Sequence, residues 1–292
     1  MRKDSVLTDT DGMKGKICMV TGATSGIGEA TALALAQMGA TVVVAGRSEQ
    51  KCQATVDRIV QHTGNQQVEH MLADFSVLAE VRQMAADFVR RHSKLDVLVN
   101  NAGAMFLRRS LSLDGYEMTF AVNHMAPFLL TYLLLDTIKA SAPARVVNVA
   151  SGGHRRKVLD FDDLQSRKRY SPMRVYGKSK LANMLFTYEL ARRLKGTGVT
   201  ANAMHPGFVR TNMGANNGWF VRLMLPLIHI ASLTPEQGAR TAVYLAASPE
   251  VEGVSGKYFI NCAPARSSRP SHDREAAARL WQASTEMVGL GE

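Results

Sequence analysis

Short runs of Val, Ile, Leu and Ala alternate along this chain with longer stretches in which apolar positions recur every three or four residues. The runs carry few polar alternates, as strands covered on both faces do. The pattern predicts strands at Ile17–Val20, Thr41–Ala45, Val68–Leu72, Val97–Val99, Val146–Val149, Val199–Ala203 and Tyr258–Ile260. Helices are predicted near Gly28–Met38, Glu49–His62, Leu78–His92, Leu113–Ala140, Tyr176–Lys195 and Pro235–Ala247. Strand–helix alternation of this kind specifies an α/β domain, a parallel sheet of about seven strands with helices on both faces. Residues 14–262 form the expected domain, after an N-terminal extension of residues 1–13 and before a tail of residues 263–292. Two stretches stand outside the alternation, a basic loop at 152–175 and that tail. Within the tail, Ser271–Val288 spaces Leu280, Trp281, Met287 and Val288 for one side of a helix.

Composition narrows the class. At 292 residues the chain can bury a large core, and 46% hydrophobic with 21% charged residues is ordinary for a globular protein. Cys18, Cys52 and Cys262 are odd in number and form no Cys-x-x-Cys, which argues for a reducing compartment and against a disulfide framework or a metal site. Residues 1–16 contain no apolar signal segment. The longest apolar runs, Phe128–Leu135 and Leu223–Leu233, are too short and interrupted to span a bilayer. The expectation is a soluble, cytoplasmic protein with no integral membrane segment.

The net charge of +10 admits two readings, attraction to nucleic acid or an anionic membrane, or scattered solvated charge with a polyanionic cofactor. The clusters Arg155-Arg156-Lys157 and Arg167-Lys168-Arg169 are interleaved with Asp160, Asp162 and Asp163, and no nucleic-acid motif accompanies them. The second reading is favoured, with no nucleic-acid partner.

Chemistry enters at the first strand, which runs into Thr21-Gly22-Ala23-Thr24-Ser25-Gly26-Ile27-Gly28 and then a helix. Gly22 permits the tight turn, Gly26 lets backbone N–H groups approach a pyrophosphate, and Gly28 lets the helix close onto the sheet. The helix N-terminus supplies a positive field. The domain is therefore expected to be of the Rossmann type, doubly wound. The second strand ends at Ala45-Gly46-Arg47-Ser48, without the acid that would hold both ribose hydroxyls of NAD(H). A guanidinium at Arg47 suits a 2′-phosphate, so NADP(H) is expected over NAD(H); a plain surface arginine is the alternative. Asp74-Phe75 follows the third strand, where a carboxylate can accept from an adenine amino group. Asn100-Asn101-Ala102-Gly103 ends the fourth strand at the carboxyl edge, where ligands bind in such sheets. At least one of the two asparagines is expected to bond loop backbone instead.

Tyr176 and Lys180, four apart on a helix, share a face. A free phenol titrates near 10, and an ammonium beside it favours phenolate, so the pair can pass a proton to or from a substrate oxygen.

Taken in order, the Gly22/Gly26/Gly28 motif, Asn100-Asn101-Ala102-Gly103, Ser151 and Tyr176-x-x-x-Lys180 resemble the short-chain dehydrogenase/reductase family over roughly Met13 to Cys262. Finer features resemble its retinol dehydrogenase branch, which includes the WW-domain oxidoreductase relatives. They are Arg145–Ser151, the long interval from Ser151 to Tyr176, Ser179-Lys180-Leu181-Ala182-Asn183, His205-Pro206-Gly207 and the Leu280-Trp281 tail. The resemblance makes Tyr176 the general acid/base. It makes Lys180 the residue that binds the nicotinamide ribose and depresses the tyrosine pKa, and Ser151 the partner of the substrate oxygen. Asn123 matches an asparagine that holds a water in a proton relay, and a mid-helix asparagine is unfavourable by propensity. His124 beside it reads as structural. Pro206-Gly207-Phe208-Val209-Arg210-Thr211 matches the segment that meets the carboxamide, with Val209 and Thr211 at the contact positions. The segment at about 207–233 corresponds to a substrate lid, and its Met213, Trp219, Phe220, Leu223, Met224 and Leu225 suit a bulky apolar substrate or, equally, fill core or a subunit contact.

The implied activity is NADP(H)-dependent hydride transfer with a hydrophobic aldehyde or ketone, or the corresponding alcohol. The rival is a non-catalytic NADP(H)-binding regulatory or redox-sensing module, which would need no proton donor. Two departures stand out. Many retinol-active members carry a membrane anchor, expected to be lacking here, and Ala150-Ser151 replaces a pair of serines. Family members often form homodimers or homotetramers through the helices placed at Leu113–Ala140 and Tyr176–Lys195.

Overall fold

The computed structural model describes residues 12–208 and 233–290. Its centre is one eight-stranded sheet in the order β3-β2-β1-β4-β5-β6-β7-β8. The strands are β1 Ile17–Thr21, β2 Thr41–Gly46, β3 Val68–Leu72, β4 Val97–Asn100, β5 Ala144–Val149, β6 Val199–His205, β7 Tyr258–Ile260 and β8 Ala263–Pro264. β1 to β7 run parallel, and β8 turns back antiparallel to β7, a short edge strand inside the segment expected as tail. The helices are α1 Gly26–Gln37, α2 Glu49–Thr63, α3 Leu78–Arg91, α4 Met118–Phe120, α5 Ala126–Leu133, α6 Leu135–Ala140, α7 Pro172–Arg193, α8 Pro235–Ala247 and α9 Arg274–Met287.

Alternate residues of the same strands feed opposite faces, as a period of two requires. Cys18 and Val20 pack with α1 and α8, whereas Met19 packs with α3, α5, α7 and α9. Strand order reverses between β1 and β4, both flanking pairs lying in parallel register. That switch point opens a crevice at the carboxyl edge, and the glycine turn after β1 and the Asn-Asn-Ala-Gly turn after β4 both end there.

Two helices differ from expectation. The predicted single helix Leu113–Ala140 is broken: Leu111 bridges Glu117, and Glu117 caps α4 by accepting from Thr119 N and Phe120 N. A π turn then spans Ala121–Met125 before α5. Pro127 lacks the N–H that would serve the Asn123 carbonyl in an α-helix, which favours a local change of winding there. The helix carrying Tyr176 begins at Pro172, inside the predicted loop, with proline in its first turn where a missing N–H costs nothing.

The tail helix packs as its spacing predicted. Leu280 and Val288 are buried, Trp281 meets Phe128 edge-on at 5.1 Å, and Arg193 lies over the indole at 4.3 Å. α9 therefore covers α5 and α7, the helices through which subunit pairing was expected. His124 joins this contact, its Nε2 2.9 Å from Ser284 Oγ and its ring among Phe120, Phe128 and Phe186. Burial pulls its pKa from 6.5 to about 4. An unfolded chain takes up a proton below 6.5 that the folded chain cannot hold, so stability present at neutral pH is lost as pH falls toward 4. The loss is on the order of 3 kcal/mol. Urea titrations at pH 7 and pH 4.5 check it: His124→Gln should lose less stability between the two than the native chain, and equal losses would contradict the assignment. Among the described residues no helix is long and apolar enough to cross a membrane.

Candidate active site

The glycine turn is built by contact with the β4 turn. Gly22 and Gly26 have φ of +64° and +60°, the region that favours glycine. A Cβ on Gly28 would stand 2.4 Å from both Asn101 Nδ2 and Gly22 O. Asn101 Nδ2 donates to Thr21 O and Gly22 O at 2.8 and 3.2 Å, and Thr21 Oγ1 accepts from the N–H groups of Asn101 and Ala102, both at 3.0 Å. The Asn101 side chain is thus spent on the glycine turn's backbone, which leaves the main chain of Asn101, Ala102 and Gly103 to line the crevice. Asn100 instead bonds Thr131 Oγ1 and Asn148 Oδ1 beneath it.

The turn suits an anion. Ser25 is exposed and makes no side-chain cap bond, so it does not consume the first N–H groups of α1. Thr24 lies against the end of β2, its Cγ2 2.9 Å from where a Gly46 Cβ would be, while Ile27 is buried in the core. Arg47 is more than half exposed and lies 3.9 Å from Asp74 Oδ2. Asp74 Oδ1 accepts from Ser76 N and Oγ at 2.8 and 2.7 Å. The Phe75 side chain points into the core beside Leu78 and Val81, so only its backbone can meet a ligand in the crevice.

At the other end of the crevice, β5 delivers Ser151 and α7 delivers Tyr176 and Lys180. Ser151 caps a 3-10 turn, Gly152–His154, by accepting from Gly153 N at 3.1 Å, and its hydroxyl lies beside the Tyr176 ring. A Cβ on Gly153 would lie 3.5 Å from both Ser151 Oγ and Tyr176 Cε1, so the three residues are in contact. Lys180 is buried, with Nζ 5.7 Å from the tyrosine ring centre and donating to Val149 O at 2.9 Å. A Cβ on Gly103 would be 3.4 Å from both Lys180 Nζ and Asn123 Oδ1, which joins the two turns to the proton-transfer group.

Electrostatics correct one expectation. Tyr176 is not depressed by Lys180 within the chain itself; burial pushes the phenol up, with the neighbouring Ser151 hydroxyl opposing. The same burial pulls Lys180 down to about 8, and no carboxylate pairs with it among the described residues. A low-polarity site disfavours both charged forms, the phenolate and the ammonium.

Asn123 is fully buried in the π turn. Its Oδ1 accepts from Ala104 N at 2.7 Å, and its Nδ2 donates to Ala104 O and Ser179 Oγ, both at 2.9 Å. Ser179 Oγ in turn donates to Tyr176 O at 2.7 Å. The side chain therefore ties the β4 turn to α7. Thr21 and Ser179 were missed from sequence, although each directly precedes a site residue. Pro206 and Gly207 follow β6, with Gly207 at φ +86°; Val209, Thr211 and nearly all of the lid segment lie outside the described residues. Among the described residues no cluster could hold a metal ion.

A doubly wound sheet with a glycine turn at its switch point and a serine–tyrosine–lysine group beside it defines a dinucleotide-dependent oxidoreductase architecture. The family model of short chain dehydrogenases matches residues 16–219, and the chain belongs to that family. It is 42% identical over 283 residues to human retinol dehydrogenase 13, covering 94% of this chain and 85% of that protein. It is likewise 42% identical over 285 residues to mouse (Mus musculus) retinol dehydrogenase 12, covering 98% and 90%. Among solved structures, an uncharacterized protein from Mycobacterium Paratuberculosis superposes with a TM-score of 0.78 at 33% identity, covering 97% of each chain. The Pseudomonas aeruginosa RhlG/NADP active-site complex superposes with a TM-score of 0.67 at 27% identity, covering 86% of this chain and 96% of that one.

Proposed function

We propose that this short-chain dehydrogenase uses NADP(H) to interconvert a bulky hydrophobic aldehyde or ketone and its alcohol, of the retinal/retinol kind. The observation that carries this reading is the convergence of Ser151, Tyr176 and Lys180 at the carboxyl edge beside the glycine turn. The backbone of Gly22–Gly28 with the first turn of α1 would hold the pyrophosphate, and Arg47 the 2′-phosphate. The turn at Asn101–Gly103, Lys180 and Pro206-Gly207, with Val209 and Thr211 beyond them, would hold the nicotinamide half. When bound, the nicotinamide supplies or accepts the hydride.

The chain's own groups manage the proton. In reduction, Tyr176 in its neutral form donates to the carbonyl oxygen, and Ser151 donates a hydrogen bond to the same oxygen. The raised phenol pKa keeps that proton in place at neutral pH, and the Lys180 ammonium stabilises the phenolate that forms. An ammonium buried without a carboxylate is costly, and a site that receives an anionic or hydroxyl-rich cofactor offsets that cost. Asn123 and Ser179 hold the Tyr176 turn in register.

Four observations support the finer choices. Arg47 stands where an NAD-preferring site needs an acid, and the Pseudomonas relative is an NADP complex. The retinol dehydrogenase relatives and the exposed Val158, Met173 and Phe208, on segments bordering Ser151 and Tyr176, favour an apolar substrate. A cytoplasmic location and the oligomeric state belong to the same proposal, with α9 over α5 and α7 favouring a chain that does not pair there. For the cofactor, Arg47→Ala should weaken NADPH binding about tenfold or more and NADH by less than about twofold. Isothermal titration reads both; equal losses would remove the phosphate role from Arg47.

A further inference from the structure

Proton transfer as described makes no use of His154. This imidazole is fully buried at the end of the Gly152–His154 turn. Its Nδ1 lies 2.6 Å from Ser151 O, and its Nε2 lies 3.2 Å from Ser268 N in the C-terminal segment. A carbonyl only accepts and an amide only donates, so the proton sits on Nδ1 and Nε2 carries the lone pair. Burial and the neighbouring Arg155 both lower its pKa, which keeps it in that neutral form.

The surroundings are polar. The ring meets Tyr258 of β7 edge-on at 5.2 Å, and Tyr258 OH, Ser268 Oγ and His205 Nδ1 are buried without a partner among the described residues. Two directed hydrogen bonds therefore orient the ring. The turn it holds has little slack. A Cβ on Gly177 would meet Gly153 O at 2.6 Å, and Gly153 N donates to the Ser151 hydroxyl itself. The C-terminal segment has two further ties: Arg155 Nη2, from the residue after His154, donates to Arg266 O at 3.3 Å, and Tyr188 OH of α7 lies 2.8 Å from Ser267 Oγ.

We propose that His154 is a positioning residue: one imidazole clamps the Ser151 turn to the C-terminal segment at Ser268, so that seating of the tail sets the Ser151 hydroxyl against Tyr176. The inference rests on the Ser151/Tyr176 reading above. It makes the tail, which touches no reacting atom in that reading, a contributor to turnover.

Ser268→Pro isolates the clamp. Ser268 has φ −73° and ψ 151°, extended geometry that proline adopts, and its hydroxyl has no partner among the described residues, so the change removes chiefly one N–H. With retinal and NADPH, Ser268→Pro and His154→Ala should each lower kcat about tenfold or more, with KM and the NADPH dissociation constant within about threefold. His154→Asn, which keeps a donor toward Ser151 O, should recover part of the loss. Amide exchange of the peptide containing Ser151–Lys157 should quicken in Ser268→Pro, a readout independent of activity. Wild-type turnover with kcat unchanged in both variants, or unchanged exchange, overturns the clamp while leaving the oxidoreductase reading intact. Absence of turnover in the wild type with quickened exchange overturns the reading and retains the clamp.

Discussion

Tyr176→Phe should bind NADPH with native affinity and lose about a thousandfold in kcat for carbonyl reduction. The substitution removes one oxygen and leaves the ring, which is almost wholly buried against the Gly153 turn, in its packing. The Ser151 hydroxyl beside it still accepts from Gly153 N, so the stability change should stay within about 1 kcal/mol. A large loss of rate with little loss of stability or affinity is the signature of a group that acts on the reacting oxygen. Stopped-flow turnover, NADPH titration and thermal unfolding on one preparation separate the three. Retention of near-native kcat would remove Tyr176 from the mechanism.

Gly28→Ala should act in the opposite manner, on the scaffold and the cofactor together. Its Cβ would lie 2.4 Å from Asn101 Nδ2 and from Gly22 O, distances no carbon tolerates, and one of these atoms is backbone. Relief requires Asn101 to give up its bonds to Thr21 O and Gly22 O, which hold the two turns together. Overpacking of this kind costs about 1–3 kcal/mol, and the lost bonds add about 1 kcal/mol each. A fall of about 5 °C or more in melting temperature is expected, together with at least a tenfold loss of NADPH affinity. A variant of native stability and affinity would mean that the helix does not close onto the sheet through Gly28.

Much of this was legible in the sequence because parallel strands buried on both faces must be apolar throughout. All seven predicted strands are present, and among the described residues only the two-residue β8 was missed, a pairing too short to leave a pattern. The helix from Leu113 was misread because its periodicity continues through Glu117, whose capping role and the π turn before Pro127 depend on local bonding rather than on hydrophobic spacing. The early start of α7 was signalled by Pro172 and overlooked within a basic, loop-like composition. At the site, residue identity placed Ser151, Tyr176 and Lys180 but could not give their charge state. The depression expected of Tyr176 counted only the ammonium beside it, whereas both groups are buried and burial acts on each. The assignments of Asn101 and Phe75 likewise turned on where a side chain points. One is spent on the glycine turn and the other on the core, and only packing decides that.

The central claim is that hydride passes between NADPH and an apolar carbonyl under proton control by Tyr176. The most direct measurement is transfer of label from NADPH deuterated at nicotinamide C4, on either face, into alcohol formed from retinal, a medium-chain aldehyde, a steroid ketone or an aromatic ketone. The account predicts one deuterium at the former carbonyl carbon for at least one of these substrates, and none above background with Tyr176→Phe. A wild-type protein that binds NADPH and labels no alcohol would contradict it and favour a non-catalytic NADP(H)-binding module.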